Sequence, residues 1–142
     1  ALRGADPRTH LAASAYTPKA RAAIYDTMLW RAGAILKTGH CVLVDATFLD
    51  PADREKAAAV ATTTKVALHR IWLDAPLEML IDRVAARRGD ASDADAEVVR
   101  AQYVSGAQPK DWQIVSALGS IADTVARIEP LLRETGAVSN KV

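Results

Sequence analysis

The chain has 142 residues, of which half are apolar and a quarter are charged, a balance typical of one globular domain. Its net charge of +1 creates too weak a field to indicate a nucleic-acid or anionic-membrane surface. Cys41 is the only cysteine, which excludes an internal disulfide and a cysteine-rich metal site. No apolar run approaches the roughly 20 residues of a membrane span. Residues 1–10 also contain no signal-peptide core, so the sequence predicts a cytoplasmic protein.

The first predicted element is a helix that begins at Thr17-Pro18, because threonine is a good N-cap and proline suits the first turn. Gly39 fits the C-terminal end of this helix. The apolar run at 41–44 then predicts a buried parallel strand. The apolar face of the helix, read at helical spacing, is predicted to comprise Ala23, Ile24, Thr27, Met28, Trp30, Ala34, Ile35 and Leu36.

The rest of the chain alternates between predicted helices and strands. Asp50-Pro51 repeats the cap-and-proline start of a helix, here over about residues 52–62. The later predictions are a strand over 66–73, a helix from Pro76 to Gly89, a polar loop or lid over 90–95, a helix over 96–103, a strand over 113–118 and a helix from Ser120 that Pro130 kinks or ends. This alternation predicts an α/β fold with three layers, α/β/α, around a mostly parallel sheet, as a single domain over residues 1–142.

Polar side chains follow the first two predicted strands. Asp45 and Thr47 come after the first strand and Asp74 after the second, and ligands of open parallel sheets bind beyond the carboxyl ends of strands. A carboxylate at such a position must be hydrogen-bonded, paired or near a metal. Asp45 therefore faces a ligand or caps local amides as a turn residue. Asp74 is interpreted as the cap of the helix that begins near Pro76.

Two arginines share one face near the end of the third predicted helix. Arg83 and Arg87 are one turn apart, and two guanidinium groups on one face can bind phosphate oxygens with paired hydrogen bonds. The alternative is a solvated helix end that complements the macrodipole. His40 and His69 have no partners at metal-ligand spacing, so no protein metal site is predicted.

Three motifs occur in a specific order along the chain. The first is an apolar strand followed by D-x-T-x-x-x-P-x-x-R, whose defined positions are Asp45, Thr47, Pro51 and Arg54. The second is the turn WLDAP at 72–76, and the third is R-x-x-x-R, formed by Arg83 and Arg87. Over roughly residues 1–125 the chain resembles the P-loop kinase family, which includes polynucleotide 5′-kinases, zeta-toxin-like kinases and the ATP-binding domain fused to aminoglycoside-phosphotransferase-like domains in bacteria.

The chain departs from this family at the phosphate-binding loop. The family's strand–G-x-x-x-x-G-K-[ST]–helix holds the phosphates of ATP and Mg²⁺, but no Gly-Lys pair occurs in these 142 residues. The resemblance therefore implies a domain that lacks its N-terminal strand and P-loop, is N-terminally incomplete and has a lid at about 84–95. Such a chain is expected to bind nucleotide weakly and to be inactive on its own.

The resemblance also implies roles for the residues of the first motif. Asp45 would orient a Mg²⁺-bound water or the acceptor hydroxyl. Thr47 would bind the acceptor or hold the loop that carries Asp45. Arg54 would either bind the substrate or pair with an acid on the helix surface.

ATP and Mg²⁺ are the cofactors that the resemblance implies. Arg83 and Arg87 would close over ATP and neutralise charge on the transferred phosphoryl group. Ser120, in the loop after the last strand, would lie near the adenine.

The predicted function of the intact protein is ATP-dependent phosphoryl transfer to a hydroxyl of a small-molecule acceptor, since the weak net charge argues against a long polyanion. Two alternatives remain open: a 5′-hydroxyl nucleic-acid kinase, and a non-catalytic remnant that serves as an interaction or regulatory module. An upstream G-x-x-x-x-G-K-[ST] would favour the kinase. Self-association through an exposed sheet edge is a further prediction. The hypothesis requires the carboxylate of Asp45 and the guanidinium groups of Arg83 and Arg87 to converge on one phosphate-sized space.

Overall fold

The computed structural model describes residues 17–86, 96–106 and 108–134. In these ranges the elements are α1 (Pro18–Leu36), α2 (Pro51–Thr64), β1 (Ile71–Asp74), α3 (Leu77–Ala86), α4 (Ala96–Ser105), β2 (Gln113–Ser116) and α5 (Ile121–Glu134). The two strands pair in parallel, with Ile71 opposite Gln113 and Asp74 opposite Ser116. The α/β class and the parallel pairing are confirmed, whereas the three-layer arrangement stays a prediction.

Helix α1 begins as predicted but buries a different face. The Thr17 hydroxyl accepts a hydrogen bond from the Ala20 amide at 3.2 Å, and Pro18 is the first helical residue. The side chains that this helix buries are those of Tyr25, Leu29 and Ala32. The predicted face was wrong at Trp30, whose side chain is 72% exposed. Apolar residues surround most of α1, so their spacing alone does not specify which side packs.

Helix α2 packs on α1 and is held at its start by a cap. The Asp50 carboxylate accepts from the Ala52 amide at 3.0 Å and pairs with Arg21 of α1 at 3.1 Å. A second ion pair joins Lys56 of α2 to Asp26 of α1 at 2.6 Å, and this hydrogen bond raises the pKa of the Lys56 ammonium. Both pairs are solvent-exposed, where water screens the attraction between the charges. The packing of α2 on α1 therefore gains little stability from these ion pairs.

The strand predicted at 41–44 is wrong. Residues 41–46 form no strand, and the Leu43 side chain is 93% exposed. An extended segment becomes a strand only when a neighbouring edge takes up its backbone hydrogen bonds. Among the described residues β1 and β2 pair only with each other. The β-branched composition of this segment is therefore not sufficient to place it in the sheet.

The remaining elements agree with the predictions in order and type but differ in length. The strand predicted over 66–73 is confined to β1, and the one over 113–118 to β2. Helix α3 packs on α4, and α5 packs on β2. Pro130 lies inside α5 and does not end it. Across the described ranges, no helix combines the length and the apolar character needed to cross a bilayer.

A row of aromatic rings joins the helix pair to the sheet. Phe48, the only phenylalanine of the chain, lies 5.4 Å from the Tyr25 ring of α1 and 5.6 Å from the Trp112 ring, centroid to centroid. Trp112 in turn lies 6.4 Å from Trp72 of β1. Such pairs contribute about 0.5–1.5 kcal/mol each beyond the area that they bury. Loop residues thus connect α1 and α2 to β1.

The end of α2 offers a test of backbone strain. Lys65 caps this helix in the left-handed conformation, with φ at 58°, which disfavours any residue with a Cβ atom. We expect Lys65→Gly to raise the free energy of unfolding by roughly 0.5–1 kcal/mol, after the entropic cost of glycine is subtracted. Chemical denaturation measures this change. Lys65→Ala keeps the Cβ atom and is expected to give no gain, and a gain of equal size from both variants would contradict the explanation.

Candidate functional site

The D-x-T motif lies in a bent segment without regular secondary structure, residues 45–50, directly before α2; we call it the 45–50 turn. The turn contains Phe48, whose ring is 6% exposed and whose φ of 45° is left-handed. A phenylalanine in this region is an outlier that the surrounding structure must hold in place. The Asp50 cap anchors the end of the turn on α2. The turn is therefore a strained element that carries Asp45 and Thr47 at its start.

Tyr25 of α1 holds the turn from one side. Its hydroxyl accepts a hydrogen bond from the Phe48 amide at 3.0 Å and lies 3.4 Å from the Thr47 hydroxyl. The two rings meet edge to face, at an interplanar angle of 80°. Tyr25 thus contacts the backbone, the ring and the neighbouring hydroxyl of the strained residue.

Arg54 of α2 holds the turn from the other side. One guanidinium nitrogen donates to the carbonyl oxygen of Phe48 at 2.7 Å and to that of Leu49 at 3.1 Å. The side chain is half-buried. The sequence predicted that Arg54 pairs with an acid or binds the substrate. These hydrogen bonds instead join one guanidinium nitrogen to the backbone of the turn. Substrate binding by Arg54 stays a prediction.

Asp45 and Thr47 are both exposed at the start of the turn. The Thr47 hydroxyl contacts Tyr25, which fits the predicted role of holding the loop. Among the described residues, no hydrogen bond or ion pair engages the Asp45 carboxylate. Asp45 is therefore accessible to solvent and to a ligand.

Gly106 allows the chain before β2 to approach this turn. A Cβ atom at Gly106 would lie 2.9 Å from the Leu49 side chain and 2.9 Å from the carbonyl oxygen of Gln102. The Leu49 methyl group can move aside, but the Gln102 carbonyl belongs to the backbone, so a larger residue would shift the end of α4. The close approach to this carbonyl favours glycine at position 106.

Arg83 lies at the carboxyl edge of the parallel strands. Its guanidinium donates to the carbonyl oxygen of Ala117 at 2.7 Å, and Ala117 follows directly after β2. The Ala117 amide donates back across the sheet to the carbonyl oxygen of Asp74, the last residue of β1, at 2.7 Å. Arg83 is half-buried. This is the edge at which open parallel sheets bind their ligands.

Two residues that the sequence did not single out complete this edge. Gln108 donates from its amide nitrogen to the Asp74 carboxylate at 2.8 Å, so among the described residues this carboxylate holds the loop before β2 rather than capping α3. Arg127 of α5 donates to the carbonyl oxygens of Ser116 and Leu118 at 3.1 and 2.8 Å. Both are polar residues whose roles depend on distant parts of the chain.

Ser120, in the loop between β2 and α5, caps α5. Its hydroxyl accepts from the Asp123 amide at 3.2 Å, while the Asp123 carboxylate accepts from the Ser120 amide and hydroxyl at 2.8 and 2.7 Å. These hydrogen bonds from Ser120 lower the pKa of the Asp123 carboxyl, and Arg127 adds to the effect. Gly119 precedes the cap with φ at 86°. The cap positions Ser120 three residues beyond Ala117, and its contact with adenine stays a prediction.

The predicted site residues thus form two groups. Asp45, Thr47 and Arg54 belong to the 45–50 turn, and Arg83 and Ser120 belong to the carboxyl edge of the strands. In the described part of the chain no hydrogen bond or ion pair joins Asp45 to Arg83. Arg87 and most of the predicted lid lie outside the described residues. Convergence of the two groups on one ligand stays a prediction.

A cavity of about 420 Å³ lies beside the turn, between the start of α2 and the chain that precedes each strand. Arg70 and Asp111 form an ion pair of 3.3 Å in its wall. Neither Asp45 nor Arg83 lines the cavity. Its other polar or aromatic walls are Arg54, Glu55, Lys110 and Trp112. Both signs of charge are present, so the cavity selects no ligand by charge alone.

Sequence reasoning did not identify Tyr25, the α1 residue that holds the 45–50 turn. It lies 22 residues before Thr47, and no local motif joins them. One signal was available: a hydroxyl on a buried helix face normally has a hydrogen-bond partner. If Tyr25 is assigned to the buried face of α1, its hydroxyl is predicted to have a hydrogen-bond partner elsewhere in the chain.

Comparison with known proteins supplies a family and relatives. A family model described as an AAA domain matches residues 1–109, a stretch that includes Asp45, Arg83 and Arg87. An uncharacterized protein of Mycobacterium bovis and uncharacterized proteins of two Mycobacterium tuberculosis strains are each 36% identical over 90 residues. This alignment covers 63% of the chain but only 18% of each relative. No solved structure matches.

The α5 cap predicts a pH dependence of stability. Because the pKa of Asp123 is lowered in the folded chain, its contribution is complete above the ordinary value and is lost as the pH falls through the folded value. We expect wild type to be more stable than Asp123→Asn at neutral pH, and the difference to shrink below about pH 4. Denaturation curves from neutral to acidic pH measure it. Glu129→Gln, another exposed acid of α5, serves as the control, and a difference that is constant with pH would refute the prediction.

Proposed function

Because the chain belongs to the AAA domain family, a P-loop NTPase-like family that includes kinases, we propose that it is part of an ATP-dependent phosphotransferase. The reaction would move the γ-phosphoryl group of ATP to a hydroxyl of a small-molecule acceptor. The matched stretch covers less than a fifth of each curated relative, so the proposal concerns the whole protein that contains this chain.

The observation that carries the proposal is the position of Arg83. Its guanidinium lies at the carboxyl edge of β1 and β2, bonded to the carbonyl oxygen of Ala117. A guanidinium has five N–H donors in a planar fork, so one bond to a carbonyl leaves donors for phosphate oxygens. The bond to Ala117 would also restrict the motion of the side chain. Arg83 is thus suited to bind a phosphate beyond the ends of the strands.

Phosphoryl transfer depends on such fixed charges. Its transition state spreads negative charge over the oxygens of the transferred group, and prepositioned cations stabilise that charge more than they stabilise the ground state. Arg83 would supply this charge, and Arg87, four residues further along the sequence, is predicted to assist it. Bidentate contacts to phosphate are geometrically specific to arginine.

The 45–50 turn would serve the acceptor side. Asp45 would accept the proton of the acceptor hydroxyl or orient a water bound to Mg²⁺, and Thr47 would hydrogen-bond the acceptor. An exposed carboxylate is a ligand type that Mg²⁺ accepts. The ion would neutralise the phosphate charge when bound. These 142 residues contain no G-x-x-x-x-G-K-[ST], so in the proposed phosphotransferase a phosphate cradle of that kind would be supplied from outside them.

The first test measures transfer itself. In the whole protein with ATP and Mg²⁺, we expect acceptor-dependent release of ADP, and Asp45→Asn is expected to lower kcat by at least about a hundredfold because the proton acceptor is lost. ATP affinity, measured by calorimetry, should change little. Asp82→Asn, an exposed acid of α3, is the matched control. Absence of ADP release with every hydroxyl acceptor class would favour the non-catalytic interaction module instead.

The second test separates a phosphate contact from a structural one. Arg83→Ala is expected to slow transfer by about 10²–10³-fold, the usual effect of removing one transition-state donor. Arg127→Ala is the matched control, because it also removes a guanidinium that donates to carbonyl oxygens after β2. Steady-state kinetics and thermal unfolding are measured for both variants. Equal losses of activity from both variants would return Arg83 to a purely structural role.

A further inference from the structure

The 45–50 turn is held by side chains from two different helices. The left-handed backbone of Phe48 is unfavourable for a residue with a side chain, so the turn keeps this conformation only while its surroundings do. Tyr25 of α1 takes the Phe48 amide, and Arg54 of α2 takes the Phe48 carbonyl. Both peptide groups of the strained residue are therefore bound by side chains rather than by regular secondary structure.

The hydroxyl of Tyr25 has no evident role apart from the turn. Tyr25 is 6% exposed and shares its buried helix face with Leu29 and Ala32, which are apolar. Phenylalanine would present the same ring to Phe48. A buried hydroxyl is costly unless it is hydrogen-bonded, and within the described part of the chain its bonds go to Phe48 and Thr47.

This hydroxyl also contacts Thr47. The Tyr25 oxygen, which accepts from the Phe48 amide, lies 3.4 Å from the Thr47 hydroxyl oxygen, and either hydroxyl can donate in this contact. In both cases the contact links the Thr47 side chain to α1.

Arg54 fits the same role better than direct binding of an acceptor. A single nitrogen serves two consecutive carbonyl oxygens, those of Phe48 and Leu49, and the side chain is half-buried. Its position nine residues after Asp45 puts it in the first turn of α2. From there its guanidinium binds the turn, while the side chain also lines the cavity beside α2.

We propose that Tyr25 and Arg54 are positioning residues that hold the 45–50 turn in one conformation and thereby place Asp45 and Thr47 for reaction. The conformational part rests on the contacts above. The catalytic part rests on the proposed phosphotransfer function.

The test uses Tyr25→Phe in the whole protein, which removes one oxygen and keeps the ring. Hydrogen exchange of the Phe48 amide is expected to accelerate by about tenfold, the effect of losing one hydrogen bond, with no change at amides in the middle of α1 and α2. The kcat is expected to fall by about 10–100-fold because the reacting groups are misplaced, with the KM for ATP unchanged. Tyr103→Phe, which alters an exposed tyrosine of α4, is the matched control.

Arg54→Ala separates positioning from acceptor binding and is available if Tyr25→Phe fails to fold. Positioning predicts faster Phe48 exchange and lower kcat, with the acceptor KM unchanged. Direct binding predicts a higher acceptor KM with normal exchange, which would overturn the assignment of Arg54. Arg31→Ala, at an exposed arginine of α1, is its control.

The two readouts keep the inference distinct from the proposed function. Unchanged Phe48 exchange in both variants would overturn the inference whether or not the protein is a kinase. Faster exchange with wild-type kcat would overturn its catalytic part. If the wild-type protein transfers no phosphate, the proposed function fails, and the exchange rates still decide whether Tyr25 and Arg54 hold the turn.

Discussion

The buried, left-handed Phe48 is the constraint on which the arrangement of this chain depends. Its ring connects Tyr25 of the helix pair to Trp112 before β2, and its backbone is bound by Tyr25 and Arg54. A residue in this conformation is stable only when several contacts agree. The same contacts that join α1 and α2 to the sheet also shape the turn that carries Asp45. Stability and the candidate chemistry therefore depend on one element.

Arginine side chains stabilise the loops of this molecule. Arg54, Arg83 and Arg127 each donate to carbonyl oxygens of turns or strand ends. The chain is poor in aromatic residues, so few large rings are available to bury its loops. A long guanidinium side chain can reach carbonyl groups that are left unpaired where a strand or turn ends. In the proposed phosphotransferase, Arg83 would combine this structural bond with binding of phosphate, whereas Arg54 would act only through the turn.

Sequence reasoning succeeded where the signal is local. The starts of α1 and α2 follow from Thr17 and Asp50 with their prolines, and the parallel pair follows from the alternation of helices and strands. It also placed Asp45, Thr47 and Arg54 in one motif, because their spacing is short. It failed at 41–44, where β-branched residues predicted a strand, and at Trp30, which is exposed. Both errors concern which surface a segment packs against, and packing depends on distant residues.

The sequence by itself determined the order and type of the elements apart from the strand predicted at 41–44, the N-caps of α1 and α2, and the family to which the chain belongs, because caps and motifs act over a few residues. Only the tertiary structure decided that Tyr25 binds Phe48, that Arg54 faces the turn and that Arg83 reaches Ala117. These contacts join residues from different elements or depend on a left-handed backbone that no local preference favours. Their free energy exists only once the chain has brought the partners together, so spacing along the sequence does not reveal them.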